Sequence, residues 1–154
     1  MAQVNTQPRP THTESLGSSI DQRPPRGAVL VVEDRDDVRD GMAQLLELHG
    51  FVVVDAADAE QAWGHLAADP AGFALILLDL NLPGRVDGFG LRARQLADPR
   101  LSGIPTVIVS GSTVDAEQRL TLRTDVWLSK PYRFHELLTI VKRHVTPEAG
   151  ALRG

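Results

Sequence analysis

The chain has 154 residues, enough for one domain with its own core, and a composition of 42% apolar and 23% charged residues typical of soluble globular proteins. It contains no cysteine, which excludes disulfides, thiolate metal sites and thiol catalysis and fits a reducing, cytoplasmic setting. A net charge of −4 without a basic stripe argues against a nucleic-acid partner, the apolar runs are too short to span a membrane, and the start lacks a signal-peptide pattern.

Residues 1–26 are rich in Pro, Ser, Thr and Gln, show no apolar period and end in Arg-Pro-Pro-Arg. They read as a disordered tail, with a docking peptide as the alternative. The domain itself is expected over 27–146. Its first apolar run, AVLVVE (28–33), predicts a strand. Val38, Met42, Leu45 and Leu46 follow at helical spacing. FVVVDAA (51–57) predicts a second strand. Ala59, Ala62, Trp63 and Leu66 make a second helical stripe, with Asp58 as its N-cap. FALILLD (73–79) predicts the third strand, and Phe89, Ala93 and Leu96 the stripe of a third helix. IPTVIVS (104–110) predicts the fourth strand. The weakest helical signal runs from 113 to 122, carried by Val114 and Leu120, with Ser112-x-x-Asp115 reading as a capping box. DVWLS (125–129) predicts the fifth strand. Phe134, Leu137, Leu138, Val141 and Val145 make the last and clearest stripe, and residues 147–154 read as a short frayed tail. Five strands alternating with five helices imply an α/β protein: a parallel sheet with right-handed crossovers and helices on both faces.

Ligand sites of open parallel sheets lie beyond the carboxyl ends of the strands. The runs end there in Glu33-Asp34, in Asp79 followed by Leu80-Asn81, in Ser110-Gly111, and in Ser129-Lys130. Lys130 stands out because only it and Lys142 are lysines in a chain that otherwise uses arginine. A slender ammonium reaches a carboxylate or phosphate through a gap too narrow for a guanidinium fork. If Glu33, Asp34 and Asp79 meet within about 5 Å, each like-charged pair repels by roughly 3 kcal/mol at an effective dielectric near 20. Such a group needs cations, and Lys130 with a hard divalent ion such as Mg²⁺ would supply them. A carboxylate beside a metal, an ammonium and a hydroxyl is suited to accept a phosphoryl group. Taken singly, Glu33 and Asp34 also read as helix N-terminal residues. Asp79 alone reads as a turn former ahead of Pro83-Gly84.

The motifs VLVVEDRDD, LILLDLNLPG, PTVIVSGS and WLSKPY, in this order, resemble the receiver domain of response regulators, the phosphoacceptor module of two-component signalling. The resemblance covers about 28–145. It implies a doubly wound, flavodoxin-like sheet of order 2-1-3-4-5. It implies Asp79 as the phosphoacceptor, with Ser110 and Lys130 contacting the phosphoryl group. Glu33, Asp34, Asp79 and the Asn81 backbone carbonyl would hold Mg²⁺ or Mn²⁺. The Lys130-Pro131 bond would be cis, and Ser110 and Trp127 would form the switch, Trp127 reading otherwise as an edge-strand packing residue. The implied partners are a sensor histidine kinase or histidine phosphotransfer protein and a downstream protein target, with a homodimer possible. Departures from the family pattern gather in one region. The loop 83–88 is one residue longer than usual, the stretch from Ser110 to Lys130 is shorter, Arg123-Thr124 stands where Gly-Ala is typical, and Trp127 is larger than the usual Tyr or Phe. A short fourth helix is expected there.

The tails leave no room for an output domain, so the expected protein is a stand-alone receiver. It would act through binding and its own phosphorylation and dephosphorylation, without being a turnover enzyme. The rivals are a receiver-like scaffold that is not phosphorylated and a phosphatase with an aspartyl-phosphate intermediate. The second rival is disfavoured because Asn81 occupies the place of the second Asp in a D-x-D motif.

Overall fold

The computed structural model describes residues 27–124 and 126–147. The proposed tail over 1–26, the tail over 147–154 apart from Pro147, and Asp125 at the head of the fifth predicted strand lie outside the described residues. The elements alternate along the chain: β1 (Ala28–Val32), α1 (Asp36–Leu48), β2 (Val53–Ala56), α2 (Ala59–Ala68), β3 (Phe73–Asp79), α3 (Gly88–Ala97), β4 (Thr106–Ser110), α4 (Ala116–Leu122), β5 (Trp127–Ser129) and α5 (Phe134–His144). The strands form one parallel sheet of order β2-β1-β3-β4-β5. The fold is thus the flavodoxin-like arrangement implied by the sequence motifs.

The alternation of side chains along a strand sorts the core into two layers. Val29, Val31, Leu75, Leu77, Val107, Val109 and Leu128 pack against α1 and α5 through Met42, Leu46, Leu137 and Val141. Leu30, Val32, Ile76, Leu78 and Ile108 pack on the other face against Ala59, Ala62, Leu66, Leu91 and Leu122. Both faces of β1, β3 and β4 are covered, which is why these strands read as unbroken apolar runs.

Three helices, α2, α3 and α4, begin where an aspartate side chain binds a free first-turn amide. The Asp58 side chain accepts from Gln61 N, and Asp87 accepts from Gly90 N. At α4 the cap differs from expectation. The box is made by Asp115 and Gln118, each accepting from the other's backbone N–H, while the Ser112 hydroxyl accepts from the Asn81 side chain. Leu120, expected on the buried stripe, is 76% exposed, and Leu122 fills the core instead.

The third helix also differs. Ala93 is exposed, and the buried face is Gly88, Leu91, Arg92 and Gln95. An apolar count misplaced this face because two of its four residues are polar. No helix among the described residues is long and apolar enough to cross a membrane.

Candidate functional site

The register brings the polar strand ends together. Val32 pairs with Leu78, Asp79 with Val109, and Ser110 with Ser129. Glu33 and Asp79 continue the parity of the residues facing α1 and α5, as does Lys130 after Leu128. These three side chains therefore converge on one side of the sheet rim. The Lys130 ammonium donates to Glu33 Oε1 at 2.8 Å and to Asp79 Oδ2 at 3.1 Å. Both acceptors are buried, with side chains 2% and 6% exposed, while Lys130 is 28% exposed. The backbone fixes this reach: Lys130 N donates to Ser110 O at 2.9 Å, and the Lys130-Pro131 bond is cis.

Each carboxylate has further support. Glu33 Oε2 accepts from Arg35 N at 3.1 Å, and the Arg39 guanidinium donates to the Glu33 carbonyl at 3.0 Å. Arg39 is itself held by Asp36 and Asp55, which with its hydrogen bond to Asp36 keep its pKa above the usual arginine value despite some desolvation. Asp79 Oδ1 accepts from Asn81 N at 2.9 Å. Asp34 is exposed, yet one carboxylate oxygen from each of Glu33, Asp34 and Asp79 lies within 4.8 Å of the others.

Burial works against the charge on Lys130, but its hydrogen bonds to Glu33 and Asp79 and their negative charges outweigh that effect, and its pKa is raised. One ammonium against three carboxylates leaves the cluster negative. A donor set made only of oxygens, with one member open to solvent, fits a hard divalent cation that keeps part of its water shell.

Of the remaining predicted residues, Ser110 and Asn81 border this cluster. Ser110 is buried at the end of β4, and its Oγ accepts from Ser112 N at 3.1 Å. The Asn81 side chain donates to Ser112 Oγ at 2.9 Å. Trp127 stands apart from the carboxylates. Its indole N–H donates to the Thr124 carbonyl at 3.1 Å, and the Arg119 guanidinium lies 4.3 Å from its ring centroid. Sequence reasoning missed Arg39, Ser112 and Gly88. Arg39 sits three residues after Asp36, a helical salt-bridge spacing that signals position but not contact with the Glu33 carbonyl. Gly88 packs so closely beneath β3 that a Cβ there would collide with the Asp79 carbonyl.

A doubly wound parallel sheet whose strand ends gather three carboxylates, a hydroxyl and one bridging lysine defines a class of signalling domain. The model of the response regulator receiver domain family matches residues 29–142, and the chain belongs to that family. Among curated relatives, the sensory transduction protein RegX3 of Mycobacterium bovis is 34% identical over 121 residues, which is 75% of this chain and 49% of that protein. The chain therefore spans about half the length of this relative. Among solved structures, a response regulator receiver protein from Pseudomonas putida is 29% identical with a TM-score of 0.67, over 75% of this chain and 95% of that one. A sensor protein from Polaromonas sp. JS666 is 30% identical with a TM-score of 0.66, over 78% and 96%.

Proposed function

We propose that this receiver is switched by phosphorylation of Asp79 from a phosphohistidine on a sensor kinase or phosphotransfer protein, and that it signals by binding a separate protein target. The observation that carries the reading is the Lys130 ammonium bridging Glu33 and Asp79 at 2.8 and 3.1 Å, from strand ends distant in sequence. In the reaction an Asp79 carboxylate oxygen attacks phosphorus, the P–N bond breaks, and the imidazole nitrogen leaves with the bonding pair and takes up a proton. Lys130 and Ser110 then face the new phosphoryl oxygens.

Glu33, Asp34, Asp79 and the Asn81 carbonyl would hold Mg²⁺ or Mn²⁺. When bound, the metal supplies positive charge against the charge developing on the transferred oxygens. The chain's own part is to fix the acceptor: the amide of Asn81 and the amine of Lys130 each hold one Asp79 oxygen. A groove of about 580 Å³ opens beside Lys130, lined by Val38, Met42, Pro131, Tyr132 and Phe134 among others, and gives the phosphohistidine partner an apolar footing next to the acceptor.

Phosphorylation adds roughly −1.5 to −2 charge, taking phosphoserine as the analogue. A coupling of about 1–3 kcal/mol would change target affinity about 5–150-fold. Turnover of small phosphate esters is not expected, since the Asn81 amide beside the acceptor is neither acid nor base and is engaged by Ser112. A cytoplasmic location belongs to the same reading. The test is labelling by acetyl phosphate with Mg²⁺. Asp79→Asn should abolish it while the circular-dichroism spectrum is retained, and undiminished labelling would remove Asp79 as acceptor.

A further inference from the structure

A second polar group lies buried away from the acidic cluster. Arg92 of α3 is 5% exposed, and its guanidinium is surrounded by neutral oxygens. Nε donates to the Leu122 carbonyl at 2.8 Å and Nη2 to the Arg123 carbonyl at 3.1 Å. Nη1 donates to Gln95 Oε1 at 2.7 Å and to Thr106 Oγ1 at 3.0 Å. Gln95, 1% exposed, uses its amide nitrogen on the Leu101 and Ile104 carbonyls, both at 3.0 Å. Among the described residues, no carboxylate forms an ion pair with Arg92. Burial and the nearby Arg123 lower its pKa from the usual arginine value.

A buried charge held only by neutral groups is a poor way to gain stability, because an apolar side chain of similar volume packs as well without desolvation. What the guanidinium adds is geometry. Its planar fork reaches two consecutive carbonyls at the C-terminus of α4, where carbonyls lack intrahelical partners and the helix dipole favours a cation. The second carbonyl belongs to Arg123, which ends α4 at φ 52, in the left-handed region unfavourable for a residue with a side chain.

The constraint continues toward β5. The Thr124 hydroxyl donates to the Thr106 carbonyl at 2.8 Å and accepts from Val126 N at 3.2 Å. The Thr124 carbonyl accepts from the Trp127 indole, on which Arg119 stacks. The opposite end of α4 is held more lightly, by the partly buried Val114 against the core and by the reciprocal cap of Asp115 and Gln118. The segment 111–115 is mostly exposed, and its side-chain ties near the rim are those of Ser112, to Ser110 Oγ and from the Asn81 amide, beside the acidic cluster.

We propose that Arg92 is the positioning residue of α4: it pins the helix's C-terminal end and, through Thr124, Trp127, so that α4 is a lever hinged at Leu122–Arg123 whose moving end is the more lightly held one at Ser112. The lever's use as an output rests on the phosphorylation reading above; the pinned end does not.

The test uses the full chain carrying Trp63→Phe, which leaves Trp127 as the single indole. Without any phosphate donor, Arg92→Met should speed hydrogen exchange of the Leu120 to Arg123 amides about tenfold, with β1 and β3 unchanged. Acrylamide quenching of Trp127 should rise about twofold as the local structure opens more often. Arg92→Lys, which reaches one carbonyl but cannot fork across two, should fall between. Exchange and quenching in Arg92→Met within about twofold of the parent would overturn the brace. If Arg92→Met does not fold, Thr106→Val removes one acceptor and keeps the shape. It should speed the same amides by about threefold, and no change there has the same force.

Adding acetyl phosphate and Mg²⁺ to the parent should alter exchange over 111–118 and leave Leu120 to Arg123 within about twofold. An equal change along the whole of α4 contradicts the hinge. Absence of any phosphate-dependent change counts against the reading of Asp79. It leaves Arg92 to be judged on the first comparison, which needs no phosphate.

Discussion

Replacing Lys130 with methionine removes the one ammonium between Glu33 and Asp79 while keeping a similar stem. The two carboxylates, 2% and 6% exposed, then face each other without a counter-charge. Their repulsion at about 5 Å and an effective dielectric near 20 is roughly 3 kcal/mol. Two charge-assisted hydrogen bonds are lost with the ammonium, each ordinarily about 1.5–3 kcal/mol. These terms do not add, because water already reaches the 28% exposed Lys130 and would enter the vacated space. The expected loss is therefore about 2–4 kcal/mol, on the low side of what breaking a buried ion pair costs. Urea unfolding followed by circular dichroism, at neutral pH with chelator present, measures it.

The pH and metal dependence carry the sign. Lys130 has a raised pKa in the folded chain, so its contribution is complete below the unfolded lysine value near ~10.4 and is lost as the pH rises through the higher folded value. The gap between parent and variant should therefore close in strong base. It should also narrow when Mg²⁺ replaces the missing charge. A deficit of about 0.5 kcal/mol or less, indifferent to Mg²⁺, would refute the reasoning and mark the bridge as an ordinary solvated pair.

Asp34→Asn removes the exposed member of the carboxylate cluster. It should weaken Mg²⁺ binding about tenfold or more by calorimetric titration while shifting the urea midpoint little, since an exposed substitution away from the core usually changes stability by no more than about 0.5 kcal/mol. Gly88→Ala drives a methyl group into the Asp79 carbonyl and Leu80. It should destabilise the fold by about 2 kcal/mol or more and slow acetyl-phosphate labelling; an unchanged melting temperature contradicts the close packing.

The strands were legible because both faces of the sheet are covered, so FALILLD and TVIVS appear as runs with almost no polar interruption. The acidic site was legible for the opposite reason: Glu33, Asp79, Ser110 and Lys130 are polar residues placed where those runs end. The structure brings Glu33, Asp34, Asp79 and Lys130 into one cluster with Ser110 at its border.

Hydropathy failed where burial and polarity coincide. Arg92 and Gln95 occupy the inner face of α3, so the apolar stripe of Phe89, Ala93 and Leu96 marks that face only in part: Phe89 packs against the core while Ala93 is exposed. Leu120 misled for the opposite reason, as an apolar side chain left exposed, at α4, where seven residues are too few for periodicity to average it out. Contacts such as that from Arg39 to the Glu33 carbonyl follow from the turn after β1 and leave no mark in composition.

The bridge from Lys130 to Glu33 and Asp79 spans 97 and 51 residues of chain. During synthesis from the N-terminus, Glu33 and Asp79 leave the ribosome before the amine that holds them. A nascent chain stalled short of residue 130 carries the acids without their counter-charge. On the phosphorylation reading proposed above, competence as a phosphoacceptor would then be completed only once residue 130 is in place.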